Sequence, residues 1–329
     1  MTDVMSFGGG VQSTAIMTLA GEGLIPMPAR WVFSDPGFET GATYAHLERC
    51  KEYLAKKGAN LDVVTAGNIR EDAVEFARRR HEPDVKRYAS IPMFVRRPDG
   101  EQGIMPRQCT TEYKLEPIEA YHRRELLGLK PRQRAPKELA VNVWIGISAD
   151  EERRAKPPGM WRTQKATVGE TLWDGPNVVE RKVWEPIPWQ VKSFPLLGYA
   201  LHPDRSRVPD ERFDHCTGWD RDDAKDWLAK SWPYPVPRSA CICCPYRTNE
   251  EWAAMEPAEF AQAVEFDNAV RAGYGGQDAR RQVRGELAGV PYLHRTMVPL
   301  EMADLSEPLN DRMGCGGLFS QEPDGICGV

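Results

Sequence analysis

The sequence of 329 residues has no run of about eighteen consecutive apolar residues, so no transmembrane helix is expected. Its first residues lack a basic stretch followed by an apolar core, which excludes a secretory leader of ordinary form and makes a cytoplasmic location the expectation. Histidine is scarce, at 6 residues with no His-x-x-x-His pair, so a histidine-based metal site is not expected. There is no Gly-Lys-Ser/Thr and no Gly-x-Gly-x-x-Gly, which excludes a Walker A loop and a dinucleotide fingerprint. Internal repeats and long low-complexity segments are also missing. A net charge of -5 does not advertise nucleic-acid binding, yet the charge is uneven: Arg70 to Lys137 holds 16 Lys/Arg against 11 Asp/Glu. That segment is either a set of solvated helix faces or a footprint for a polyanion.

What the chain does have begins at its start. Val4-Met5 reads as a buried strand, Ser6-Phe7-Gly8-Gly9-Gly10-Val11-Gln12-Ser13-Thr14 as a loop, and Ala15 to Ala20 as a helix stopped by Gly21. Glycines let backbone N–H groups approach an anion, and the helix N-terminus favours negative charge there. The alternative is an ordinary glycine-rich turn.

Further strands are expected at Arg30–Ser34, Leu61–Thr65 and Val141–Ile147, with helices at Thr43–Lys57, Glu71–Arg80 and Lys114–Leu127. Strands alternating with helices imply an α/β fold with a doubly wound, mostly parallel sheet, and ligands at the carboxyl ends of its strands. Beyond Asp150 prolines and tryptophans become frequent and strands are hard to place. Two regions are therefore expected: a nucleotide-binding domain over 1–155, and a cysteine-bearing, mainly helical region over 156–329. A helix is expected from Pro257 to Ala272, with a break at Gly273 to Gly276.

Eight cysteines without secretory signs point to metal or redox work rather than a disulfide scaffold. Cys241-Ile242-Cys243-Cys244-Pro245 encloses a third thiol within a C-x-x-C pair, and Cys109 stands alone before a predicted helix. Cys216, Cys315 and Cys327 are later candidates, while Cys50 suits a helix core. Spacing alone leaves open an iron–sulfur cluster, zinc, a dithiol pair and plain packing.

Taken together, the glycine loop, Asp35-Pro36-Gly37-Phe38-Glu39-Thr40 and Gly146 to Arg153 resemble the PP-loop ATP pyrophosphatase superfamily. Cys109-Thr110 with Tyr113-Lys114, and Ser239 to Arg247 with Trp252, resemble its phosphoadenosine phosphosulfate reductase-like branch, and more narrowly the bacteriophage and DNA-phosphorothioation-type members. The patches lie between about residues 3 and 255.

The resemblance implies an adenine nucleotide α-hydrolase-like fold binding ATP with Mg²⁺. Ser6, Gly8, Gly9, Gly10, Ser13 and Thr14 would serve its phosphates, Asp35 and Gly37 its adenosine side. Arg153 or Arg154 would neutralise phosphate charge. Cys109, Cys241 and Cys244 would hold a [4Fe-4S] cluster, with Cys216 the chosen fourth ligand because Cys315 lies beyond the resemblance. Cys243 would be the spare thiol of the site. The implied activity is ATP-dependent sulfur transfer to tRNA or DNA, with a sulfur-donor protein as a further partner.

Two departures matter. Aligned on Ser13, the usual Ser-Gly-Gly-x-Asp-Ser loop has Gly8 at its first Ser and Gln12 at its Asp. The tail ends Gly325-Ile326-Cys327-Gly328-Val329, with Ile326 where sulfonucleotide reductases carry Glu before a nucleophilic Cys. A second reading is therefore a sulfonucleotide reductase using Cys327. A third is a non-catalytic nucleotide- and metal-binding module of a larger complex.

Overall fold

The computed structural model describes residues 1–79, 82, 91–97, 100–105, 107–167, 178–274 and 289–306. Strands β1 (Thr2–Ser6), β2 (Arg30–Asp35) and β3 (Leu61–Thr65) open the chain. Next come β4 (Phe94–Arg96), β5 (Gln102–Ile104), β6 (Val141–Ile145), β7 (Gly159–Thr167) and β8 (Val178–Pro186). Then follow β9 (Gln190–Phe194), β10 (Tyr199–Leu201), β11 (Arg207–Pro209) and β12 (Val290–Tyr292). The helices are α1 (Val11–Gly21), α2 (Gly41–Lys56), α3 (Ile69–Arg79), α4 (Glu116–Tyr121), α5 (Arg221–Ser231), α6 (Asn249–Ala253) and α7 (Pro257–Tyr274). Two π turns, Thr111–Leu115 and His122–Leu126, extend α4 into one helical stretch over 111–126.

Seven strands form the central sheet in the order β11-β10-β9-β6-β1-β2-β3. The run from β9 to β3 is parallel, and β10 and β11 close one edge antiparallel. The central strands β1, β2 and β6 are apolar on both faces, as a parallel sheet covered on both sides requires. Met5, Trp31, Phe33 and Trp144 face a core shared with α1, α2 and α5. Val4, Val32, Val143 and Ile145 face the other core, with Ile118 of α4. The architecture is α/β with helices flanking a mostly parallel sheet.

The second half departs from the expectation of a mainly helical region. Strands β7 to β11 precede its helices, and β9, β10 and β11 belong to the central sheet. A boundary after residue 155 therefore falls within one sheet, and Phe213, Cys216, Ala224 and Leu228 pack in the same core as Met5 and Trp31. The expected helix from Pro257 is α7. A third core, containing Ile69, Ala73, Tyr113, Ile242, Trp252 and Phe266, joins α3, α6 and α7 to the β12-β4-β5 sheet. No described helix is long and apolar enough to cross a membrane.

Three buried histidines make the fold sensitive to acid. Burial lowers the pKa of His46, His122 and His294 from 6.5 to about 4, with Arg49 and Arg295 adding to the effect on the first and third. The unfolded chain takes up these protons below about pH 6.5, whereas the folded chain refuses them until near pH 4. Their contribution is thus complete above pH 6.5 and disappears as pH falls towards 4. At about 1.4 kcal/mol per unit and per ring, several kcal/mol are at stake, so the urea midpoint is expected to fall steeply across that window.

Candidate nucleotide and thiol site

The chain places β2 and β3 to one side of β1 and β6 to the other, so strand order reverses between β1 and β6. In open parallel sheets a ligand binds outside the carboxyl ends of the strands at such a reversal. A cleft of about 350 Å³ lies there, lined by Gly10, Gln12 and Ser13 after β1 and by Gly146, Asp150 and Glu151 after β6. Gly9 adopts φ +69, a left-handed conformation that glycine takes without strain. The loop thereby turns into α1, whose first turn carries no acidic residue. Ser13 Oγ donates to the Gly10 carbonyl at 3.0 Å and accepts from Gly10 N at 3.1 Å, which stiffens the turn.

Five arginines line the same cleft: Arg107, Arg153, Arg154, Arg221 and Arg238. Arg154 is held by Glu151 at 2.5 Å, and Arg238 pairs with Glu251. Arg153, Arg221 and Arg238 are exposed, and Arg107 and Arg154 are half-buried. Guanidinium groups around a helix N-terminus suit a polyphosphate, because both supply N–H donors and positive potential. The basic loop with Lys130, Arg132, Arg134 and Lys137 instead precedes β6, at the amino edge of the sheet. The expected footprint over Arg70 to Lys137 is therefore split between opposite edges.

Several of the expected ligand residues make contacts within the scaffold. Thr14 is fully buried, its hydroxyl donating to the Gly10 carbonyl at 2.8 Å and lying 3.0 Å from His46 Nε2. Asp35 Oδ1 accepts from Gly37 N at 2.8 Å and from Tyr44 Oη at 3.0 Å, so it shapes the turn after β2. Gly37 has φ +75, and a Cβ there would sit 3.1 Å from the Gly67 carbonyl. Gly8 is buried beneath the loop, while Ser6 faces a different cavity described below. Gln12, which replaces the usual Asp, donates to Ser148 Oγ at 3.2 Å and to Glu151 Oε2 at 3.3 Å. A carboxylate is thus present beside the position where the loop lacks one.

Gly146 sets the width of the cleft. A Cβ at this position would lie 3.1 Å from Ser13 N, tighter than ordinary packing. Gly146→Ala is expected to push the loop outward and weaken nucleotide binding about tenfold, the equivalent of about 1.4 kcal/mol of overpacking. Equilibrium dialysis with ATP measures it.

Cysteines from two segments meet at a small neighbouring cavity lined by Cys109, Cys241, Cys243 and Cys244. The turn after β2 holds them in place: Glu39 and Cys241 form an isolated antiparallel bridge, and Ile242 N donates to the Phe38 carbonyl at 2.9 Å. Arg247, buried, donates to the carbonyls of Ala240 and Cys241, both at 3.0 Å. Beneath lies a buried pair, Lys114 Nζ at 3.6 Å from Glu39 Oε1, and Cys241 Sγ donates to that oxygen at 3.7 Å. Burial, together with Glu39, pushes the Cys241 thiol well above its ordinary pKa, and burial with Cys109 does the same for Cys243.

Cys216 does not belong to this group. It sits in the core beneath the sheet, donating to the Pro195 carbonyl at 3.5 Å, with its pKa pushed up to about 12 by burial. Cys243 takes its place among the four. Cys315 and Cys327 lie outside the described residues.

No protein-family model, curated protein or solved structure matches the chain. Its chemistry is read from the residues alone.

As a donor set the four thiols suit a thiolate-bound centre in type and number, with Lys114 and Arg247 nearby to offset charge. The geometry is not preassembled: among the described residues no three His, Cys, Asp or Glu side chains converge at metal-holding positions.

Arg107 ties the whole site together. It lines the arginine-lined cleft, the thiol cavity and a third cavity of about 410 Å³ across β6 and β9. Its guanidinium lies 5.4 Å from the ring centre of Tyr246, which lines the first two. Arg107 is not legible as a site residue in the sequence, because a lone arginine carries no spacing signal.

Proposed function

We propose that the protein is a PP-loop-type, ATP-dependent sulfurtransferase of the phosphoadenosine phosphosulfate reductase-like branch, modifying tRNA or DNA. One observation carries this reading: an arginine-lined cleft at the strand-order reversal shares Arg107 with a cavity lined by four cysteines. Phosphate chemistry and thiol chemistry thus have adjoining chambers.

ATP would lie with its phosphates over Gly10 and Ser13, held by Arg153 and Arg154. Mg²⁺ fits this cleft, where Asp150 is an exposed carboxylate whose Oδ1 accepts from Arg221 N at 3.2 Å. Asp150 would hold the ion together with phosphate oxygens, as Mg²⁺ prefers, and the ion would offset charge on departing pyrophosphate. An acceptor oxygen attacks the α-phosphorus, the α–β bridging bond breaks and pyrophosphate leaves. Hydrosulfide, or a donor protein carrying sulfur at the same oxidation level, then attacks the activated carbon or phosphorus. AMP departs with the original oxygen, so no net oxidant or reductant is consumed.

A [4Fe-4S] cluster, held by Cys109, Cys241 and Cys244 with Cys243 as fourth ligand, would supply a site for binding and delivering sulfide. With Cys243 as a ligand, its role as a spare nucleophile lapses. The protein's own contribution is positional: Arg247 shapes the thiol loop, Lys114 and Glu39 fix charge beneath it, and Arg107 spans the two chambers.

Incubation of reduced protein with ATP, labelled sulfide and nucleic acid tests the reading. Label should enter the nucleic acid only when ATP is present. Incorporation without ATP, or none with it, would sink the proposal.

A further inference from the structure

The amino edge of the sheet carries a basic surface that the nucleotide and thiol chambers leave unused. Between the helical stretch over 111–126 and β6, residues 123–138 hold six Lys or Arg against two Glu, in a chain of net charge -5. Arg124, Lys130, Arg132, Arg134 and Lys137 are exposed, as are the two carboxylates, Glu125 and Glu138. Among the described residues, no carboxylate forms an ion pair with any of these five cations. A run of exposed cations alone is what many solvated surfaces carry. The turn at its centre sets this one apart.

Lys130-Pro131-Arg132-Gln133 is a closed turn: Gln133 N donates to the Lys130 carbonyl at 3.0 Å, and Lys130 N donates to Gln133 Oε1 at 3.0 Å. Arg123 adds a third tie, its guanidinium donating to the Gln133 carbonyl at 2.6 Å. Proline at the second position and a positive φ at the third follow the type II pattern, whose third residue is ordinarily glycine or asparagine. Here it is Arg132, at φ +65. Strained backbone of this kind persists where its surroundings or its function over-determine it. Burial does not account for the choice, because Arg132 is exposed, and glycine would close the same turn without strain.

We infer that this turn and its flanking cations dock the phosphodiester backbone of the acceptor, a reading that rests on the acceptor being a nucleic acid. A turn fixed in three places presents its charges with little ordering cost on binding. Forked guanidinium donors match phosphate oxygens. The five residues of β6 span about 16 Å, and the basic surface and the arginine-lined cleft stand at opposite ends of that strand. A mononucleotide cannot reach both, whereas a polymer with many phosphates can. An anionic membrane fits less well: between residues 123 and 140, Leu139 is the sole large apolar side chain exposed, too little to enter an acyl layer.

Filter binding of the full chain to a DNA duplex of about 30 base pairs and to total tRNA, without ATP and across about 50 to 300 mM salt, tests the inference. In Lys130→Gln/Arg132→Gly/Arg134→Gln, affinity is expected to fall about a hundredfold near 0.15 M salt. The slope of log affinity against log salt should become shallower by about 2–3, the loss of three phosphate contacts. Binding of α,β-methylene-ATP should be unchanged, since none of the three residues lines the arginine-lined cleft. Arg132→Gly alone should bind nucleic acid about fivefold more weakly yet melt no lower than wild type, because glycine takes the left-handed turn freely. A lower melting temperature with unchanged nucleic-acid affinity in that variant would make the turn structural and overturn the assignment. So would unchanged affinity and slope in the triple variant, no binding by wild type at the lowest salt, or retention on phosphatidylserine vesicles in place of nucleic acid. Nucleic-acid binding that is lost in the triple variant, with no ATP-dependent label transferred by wild type, would keep the docking surface and remove the sulfurtransferase reading.

Discussion

Arg107→Ala is expected to slow AMP formation by about 10²–10³, the size of effect seen when one fixed donor to a developing charge is removed. Nucleotide affinity should fall far less, because Arg153, Arg154, Arg221 and Arg238 still line the cleft. Arg107→Lys should not restore the rate: an ammonium group lacks the planar, forked donor set with which a guanidinium beside the Tyr246 ring can grip a phosphate. Single-turnover kinetics with saturating ATP separate the two effects. An Arg107→Ala protein with normal turnover would remove this residue from the chemistry.

The second large effect concerns the cysteines. Cys109→Ser or Cys244→Ser is expected to abolish sulfur incorporation and iron content while leaving ATP affinity unchanged, since neither lines the phosphate cleft. Cys243→Ser should do the same. Cys216→Ser should keep both iron and activity, with a loss of about 1 kcal/mol or so in stability from placing a hydroxyl in an apolar core. Iron and acid-labile sulfide assays on anaerobically purified protein distinguish these outcomes. Loss of iron in Cys216→Ser, with retention in Cys243→Ser, would restore the ligand set that the resemblance implied.

Much of the first 150 residues is legible from sequence because two periodicities alternate there, interrupted by the short strands β4 and β5 of a separate sheet, which the pattern does not show. Every strand and helix expected up to Ile147 is present within a few residues, and the glycine loop falls at the strand-order reversal. Strand β9 is not legible. Gln190 and Lys192 occupy a face that in its neighbours is apolar, because here that face lines a cavity instead of packing under a helix. Strands β10 and β11 have 3 residues each, too few for a pattern to emerge. That Cys243 and not Cys216 lines the thiol cavity is illegible for a similar reason. Spacing in a sequence reports proximity only within a segment, and Cys216 packs in the core with Met5 and Trp31, whereas Cys243 packs in the core with Tyr113 and Trp252. Arg107, His122 and Lys192 come from three separate segments, and only folding brings them to one region of the molecule.

Asp35 and Gly37 illustrate the converse. Their motif is visible, and the contacts it makes are local: one closes a turn on Gly37 N and Tyr44, the other permits close approach to Gly67. That turn in turn carries Glu39, which bridges to Cys241. The motif reaches the site through the backbone it shapes.

The most direct test of the coupled nucleotide and thiol site is to ask which nucleotide the reduced protein consumes. Anaerobically purified protein is incubated with ATP, sulfide and total nucleic acid, and in parallel with phosphoadenosine phosphosulfate and a thiol reductant. The expected result is AMP and pyrophosphate in the first mixture, dependent on nucleic acid and lost in Arg107→Ala. Release of sulfite from the second mixture, with ATP left intact in the first, would contradict the account and make the protein a sulfonucleotide reductase.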